Sequence, residues 1–223
     1  MTELQKIRDG ITKLFTSGTD CEKVELGEYG DFSYPKMIKL MKFEVRQHRV
    51  NGFGKLMTML TDTPFGMQLL TCSFMPFEGN SVPYLLIDIM IMKKKKTVFV
   101  EYYDCTNEKR EQPFMREVFE KYSDVPDYDE KPAWYVGERT GYSLIKALAP
   151  DSDRLALARI AGDSVRAYKK SALSAPKEED IAGLLNFRRR MIEEGNPSSA
   201  VLKKVFGEKG YVDFFNTCVM PDK

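Results

Sequence analysis

The chain has 223 residues, 43% of them hydrophobic and including 14 Phe and 11 Tyr, so it holds enough apolar surface for one sizeable core and is not a disordered chain. Its 34 basic and 33 acidic residues nearly cancel, which removes the electrostatic case for a nucleic-acid partner. No stretch approaches the ~18 uncharged apolar residues of a membrane span and the first residues lack a signal-peptide core, so a cytoplasmic protein without a membrane partner is expected.

Leu4, Ile7, Ile11, Leu14 and Phe15 recur at helical spacing and predict an amphipathic helix over 2–16. From about 22 to 104 the pattern changes to strands, near 23–33, 38–50, 53–61, 67–75, 83–92 and 96–103, bounded by Gly, Pro, Asn or charged turns. Short connections make a largely antiparallel meander the economical topology. Lys93, Lys94, Lys95 and Lys96, set between two apolar strands, predict a hairpin turn. A polar stretch follows Asp104, then a short helix over 113–122 and a loop-like segment over 123–137. Helices are expected over 152–173, 177–194 and 197–217, the last broken at Gly207; Pro176 followed by Lys-Glu-Glu-Asp marks the start of the middle one. The expected class is α+β in one monomeric domain over 1–223: an N-terminal helix (1–21), a sheet (22–104), a mixed segment (105–150) and C-terminal helices (151–217) that cover the sheet.

Few residues carry recognisable chemistry. Cys21, Cys72, Cys105 and Cys218 are scattered without a CxxC pair and read as reduced thiols, not a disulfide or iron–sulfur framework. His48 is the only histidine; alone it cannot build a zinc site, and a solvated surface role is expected. No GxGxxG or GxxxxGK[ST] announces a nucleotide cradle. Asp88 stands out, because it interrupts the most apolar run of the chain, Pro83-Tyr-Leu-Leu-Ile-Asp-Ile-Met-Ile-Met. Burying an ionised carboxylate without partners costs several kcal/mol or more, so such a group finds a partner or takes up a proton. Asp88 is therefore a proton donor held ready near neutral pH, or a structural carboxylate bonded to a Tyr hydroxyl or a backbone amide.

The spacing Pro76, Pro83, Asp88 resembles that of the ferredoxin-dependent bilin reductases (phycocyanobilin:ferredoxin oxidoreductase-like proteins). In that family a strand ends in an aromatic- or Met-Pro step and a short loop leads to a second proline. An aspartate lies five residues beyond it. Pro132-Ala133-Trp134 is similar to the family's Pro-Trp step after the sheet, and the stretch from Asn196-Pro197 to Phe206-Gly207 is similar to its closing helix. The resemblance spans roughly 38–217, loosely over 105–175. It implies a three-layer α/β/α sandwich with a central antiparallel sheet, and an oxidoreductase acting on CH–CH type bonds of a linear tetrapyrrole such as biliverdin. It implies no bound cofactor or metal: electrons arrive singly, in a radical mechanism, from reduced ferredoxin or flavodoxin.

The resemblance also implies roles. Asp88 matches the family's proton donor. Thr71 and Met59 stand where some members have His (others Asn) and Glu, so the four-electron, two-site reduction that uses those groups does not carry over. Thr71 is left to bond Asp88 or a water, or to be an ordinary strand residue. Asn196 stands where several members have a second catalytic Asp; it is either a hydrogen-bond donor to a lactam carbonyl or a helix cap before Pro197. The substrate's propionates need hydroxyl or cationic partners, for which Thr97, Lys131 and Arg188 are candidates. An acidic ferredoxin needs clustered cations; Lys93 to Lys96, Lys169-Lys170, Arg188 to Arg190 and Lys203-Lys204 are available. Met57, Met59, Met75, Met90 and Met92 form either an adaptable lining or plain core. Two other readings stay open: a tetrapyrrole carrier on the same fold that has lost reduction, and a reductase of another open-chain pyrrole such as a chlorophyll catabolite.

Overall fold

The first helix is specified at its start and along one face. The Gln5 amide donates to Thr2 Oγ1 (3.2 Å) while the Thr2 amide donates to Gln5 Oε1 (2.7 Å), a reciprocal cap for amides that a helix start leaves unpaired. Helix α1 (Glu3–Thr16) then buries Leu4, Ile7, Ile11 and Phe15. The structure, a computed structural model, describes residues 1–77, 81–106, 110–153, 155–174 and 181–221.

Eight strands follow: β1 (Cys21–Val24), β2 (Asp31–Tyr34), β3 (Met41–Val50), β4 (Gly54–Asp62), β5 (Gln68–Pro76), β6 (Tyr84–Met92), β7 (Lys95–Tyr103) and β8 (Leu144–Leu148). They form one antiparallel sheet in the order β1-β3-β4-β5-β6-β7-β8, with β2 also pairing β3. The expected meander is therefore present, and the hairpin joining β6 to β7 turns at Lys93 and Lys94.

Two expectations need correction. The single strand expected over 23–33 is two short strands, separated by a 3-10 turn at Gly27–Tyr29 that opens with Gly27 at φ +56°. Strand β8 lies in the segment read as mixed. Its inward positions are Leu144, Lys146 and Leu148, and the buried Lys146 breaks the apolar alternation that marks a strand; Lys146 Nζ meets Asp127 Oδ1 at 2.7 Å.

Strand alternation divides the apolar residues between two cores. Leu56, Leu70, Phe74, Ile87, Ile89 and Val98 pack against α1, α2 (Pro113–Lys121) and α3 (Ala156–Ser174). Val45, Met57, Met59, Tyr84 and Leu86 pack against α4 (Ala182–Glu193), α5 (Ser199–Phe214) and a π-helical turn at Phe215–Val219. The result is the expected three-layer α/β/α sandwich. Just before α3 the Leu155 amide donates to Asp153 Oδ1 at 2.9 Å. The start expected at Pro176 lies outside the described residues, and α4 begins at Ala182. Helix α4 comes close to the chain after β7, since a Cβ on Gly183 would meet Cys105 O at 2.2 Å.

The break expected at Gly207 is present: within α5 it adopts φ +74°, ψ 176°, a region nearly restricted to glycine, with open space around its α-carbon. Gly207→Ala is therefore expected to cost about 1–3 kcal/mol of stability from backbone strain alone, read by urea denaturation. An unchanged midpoint would show that the kink relaxes freely.

Candidate functional site

The antiparallel register sets Val45, Met59, Thr71, Asp88, Phe99 and Ile145 in one row across the sheet. Period-2 alternation turns Met59, Thr71 and Asp88 towards the layer of α4 and α5. Thr71 lies directly opposite Asp88, and its Oγ1 donates to Asp88 Oδ1 at 2.5 Å. Both line a cavity of about 40 Å³. Met57, Met59, Tyr84 and Leu86 form its floor, while Met191, Asn196, Leu202, Phe215 and Val219 form its roof.

Asp88 is crowded on every side by protein but keeps one edge open to this cavity. Burial pushes its pKa up to about 6, against the opposing Thr71 hydrogen bond and the positive field of Arg139. The result is a carboxyl group that exchanges its proton near neutral pH next to a small polar-and-Met-lined space. This is what a general acid requires.

The roof is held by polar contacts. Asn196 Nδ2 donates to Met191 O (3.1 Å) and to Tyr211 Oη (2.9 Å), and Asn196 Oδ1 accepts from the Ser198 amide (3.0 Å). Its side chain thus closes the turn before α5 and ties α4 to α5; the N-cap of α5 is Ser198, which makes no side-chain cap bond, so Asn196 is not the cap itself. Trp134, from the Pro132-Ala133-Trp134 step, donates its indole N–H to Gly195 O at 2.8 Å and so positions the loop that carries Asn196. Tyr84 Oη is buried on the cavity floor, with Ser73 as its hydroxyl neighbour. Ser73, close to that phenol, gives its own proton to Val219 O at 2.9 Å.

A second polar cluster escaped the sequence reading. Glu101 shares the face of Asp88, on the next strand. Its Oε1 accepts from Tyr103 Oη at 2.8 Å and pairs with the buried Arg139, which also grips Glu130. Arg139 stays charged between its two carboxylates, while burial, helped by the nearby charge of Asp88, pushes Glu101 up to about 7 against the pull of Arg139 and Tyr103. Glu101 carried the same signal as Asp88, an acid inside an apolar strand. Arg139, at the end of the 3-10 turn Trp134–Glu138, carried none.

The other expected residues fall elsewhere. Thr97 shares the face of Asp88 and is fully buried, its Oγ1 without a partner among the described residues, but it does not line the cavity. Lys131 is exposed on a loop, and Arg188, on α4, donates to Met220 O at 3.2 Å; neither lines the cavity. Of the methionines, Met57 and Met59 line it and Met75 lies in the adjoining core; Met90 and Met92 are half-buried further along β6. Many of the clustered cations are engaged internally. Lys96 faces Glu3, Lys169 donates to Leu14 O, Arg189 and Arg190 pair with Glu193 and Glu194, and Lys203 pairs with Glu208. His48 is half-buried instead of solvated, and burial lowers its pKa. The four cysteines are free thiols.

No protein-family model and no curated protein matches the sequence. The fold does match: the crystal structure of phytochromobilin synthase from tomato in complex with biliverdin aligns with a TM-score of 0.75 at 13% identity, over 96% of this chain and 81% of that one. The chain therefore has the fold of a ferredoxin-dependent bilin reductase.

The raised pKa of Asp88 has a definite sign in stability. The folded state binds its proton more tightly than the unfolded chain does, so this contribution is full below about pH 4 and is lost as pH rises through about 6. Asp88→Asn removes that loss. The variant is expected to gain about 1–3 kcal/mol over the parent between about pH 4 and pH 7, read by denaturant titration at several pH values. A constant difference across that range would mean that Asp88 titrates normally.

Proposed function

We propose that this protein reduces a linear tetrapyrrole of the biliverdin class, taking single electrons from an external donor such as reduced ferredoxin or flavodoxin, with Asp88 as proton donor. The observation that carries this reading is Asp88 itself, a carboxyl group on a cavity wall whose pKa burial pushes up to about 6 and whose orientation Thr71 fixes. The shared fold with a protein that holds biliverdin supports the substrate class.

Saturating one carbon–carbon double bond takes two electrons and two protons. Protonation first places positive charge on the conjugated pyrroles, which lowers the cost of adding each electron. Asp88 is placed to give that proton and, through its open edge, to recover one from water. Asn196 cannot supply the second as an acid; we assign it to holding the roof. Tyr84 Oη, a phenol donor on the cavity floor, is the group we assign to a lactam oxygen. For the propionates we assign Arg188, whose guanidinium reaches Met220 O just past the Phe215–Val219 turn, and Thr97, on the face of Asp88, ahead of the exposed Lys131.

A ligand of this size needs a pocket of roughly 300–1,000 Å³. The space present is about 40 Å³, so binding requires the Phe215–Val219 turn to withdraw from the cleft. That turn is tied to the sheet by Gln47 Nε2, which donates to Thr217 O (2.9 Å) and Cys218 O (3.1 Å), and by Ser73.

Anaerobic incubation with biliverdin and reduced ferredoxin, followed by product identification, tests the reading. Binding with a spectral shift but no reduction would leave the carrier reading in place. Asp88→Asn is expected to keep binding and lose turnover by at least about a hundredfold; retained turnover would remove Asp88 from the mechanism. Thr71→Val deletes a hydrogen bond that favours the charged carboxylate, so the alkaline fall in rate is expected to move to higher pH by roughly half a unit or more. An unmoved profile would show that another group sets it.

A further inference from the structure

The turn between β2 and β3 is unlike the rest of the surface. Met37 is 97% exposed, Ile38 67% and Leu40 50%, all within four residues. The turn is closed by its own backbone: the Lys39 amide donates to Pro35 O at 2.8 Å and the Ile38 amide to the same oxygen at 3.2 Å. Lys39 adopts φ +50°, uncommon for a residue with a side chain. The three apolar side chains therefore project from a defined tip.

The charges around that tip have one sign. Residues 32–43 contain Lys36, Lys39 and Lys42 and no acid, in a chain whose total charge is close to zero. All three lysines are exposed, and neither Lys36 nor Lys39 has an ion pair among the described residues. Lys42 lies across from Asp62 on β4, so the uncompensated charge belongs to Lys36 and Lys39.

We propose that this tip is a docking surface for a bilayer rich in anionic lipid. A convex apolar point inserts into a deformable apolar boundary, where lysine stems lie along the acyl region and their ammonium groups meet phosphate. A second copy of the chain is a poor occupant, because facing tips would bring like charges together. The absence of a span, from which no membrane partner was expected, does not bear on such a peripheral contact. The proposal is independent of the reductase reading.

Co-sedimentation with vesicles of phosphatidylcholine containing about 30% phosphatidylserine, beside vesicles of phosphatidylcholine alone, tests it. The protein is expected to partition at least about tenfold more strongly onto the anionic vesicles. Met37→Ser/Ile38→Ser should weaken that binding at least about tenfold, since exposed apolar anchors provide the insertion. Lys36→Gln/Lys39→Gln should remove most of the preference for anionic lipid. Both variants should melt with the parent, because the altered side chains are exposed. Absence of vesicle binding, or full binding by the apolar variant, overturns the proposal. So does capture of an acidic protein through Lys36 and Lys39 while vesicles stay unbound.

Discussion

The hydrogen bond between Thr71 and Asp88 joins the fold to its chemistry. Sheet register sets the two residues opposite each other, and strand alternation sends both to the same layer. A one-residue slip of β5 would turn its side chains to the other face and leave Asp88 facing a backbone neighbour without a hydroxyl at that position. The long pairings of β3 to β7 hold the register, so the environment of the carboxyl group follows from the packing of the whole sheet.

The same sheet face holds two carboxyl groups in opposite circumstances. Glu101 is locked by Arg139 and Tyr103, and Arg139 is shared with Glu130. Breaking a buried pair of this kind leaves an uncompensated charge, which suits a permanent fixture of the fold. Asp88 has a hydroxyl partner and an open edge, and the positive field of Arg139 reaches it without a direct bond. Burial raises the pKa of both acids, but Glu101 is held by a cation and a phenol while Asp88 keeps an open edge on the cavity.

Much of this was legible in the sequence, for local reasons. Period-2 patterns marked β3 to β7 because those strands are long and half or fully buried, and Gly207 marked its kink because few other residues take that conformation. Alternation from Asp88 also pointed to Tyr84 and Leu86 on its own face, although Tyr84 was not singled out. Strand β8 and Arg139 were not legible. Each is defined by a distant partner, Lys146 by Asp127 and Arg139 by Glu101, and no local period records such a pairing. How many members of the cation clusters are engaged internally was not legible for a related reason: adjacent lysines and arginines in the sequence say nothing of the acids and carbonyls that fold against them.

The two helical layers differ in how firmly they are built. One side packs α1 and the 19-residue α3 onto β-branched strand residues and the stacked rings of Phe15 and Phe74, 4.6 Å apart. The other side is roofed by a kinked helix, a π-helical turn and side-chain bonds to carbonyls from Gln47, Ser73 and Arg188. Each such bond contributes about 1 kcal/mol net, and each buried apolar side chain of the turn about 1.5–3 kcal/mol. Withdrawing Phe215 and Val219 with those four bonds therefore costs roughly 7–10 kcal/mol, less than opening the α1–α3 side with its larger set of buried side chains. An apolar, elongated ligand laid on Met57, Met59 and Leu86 would restore much of the lost burial. The weaker layer lies over Asp88, so the fold can yield there while the sheet keeps the carboxyl group and Thr71 in register.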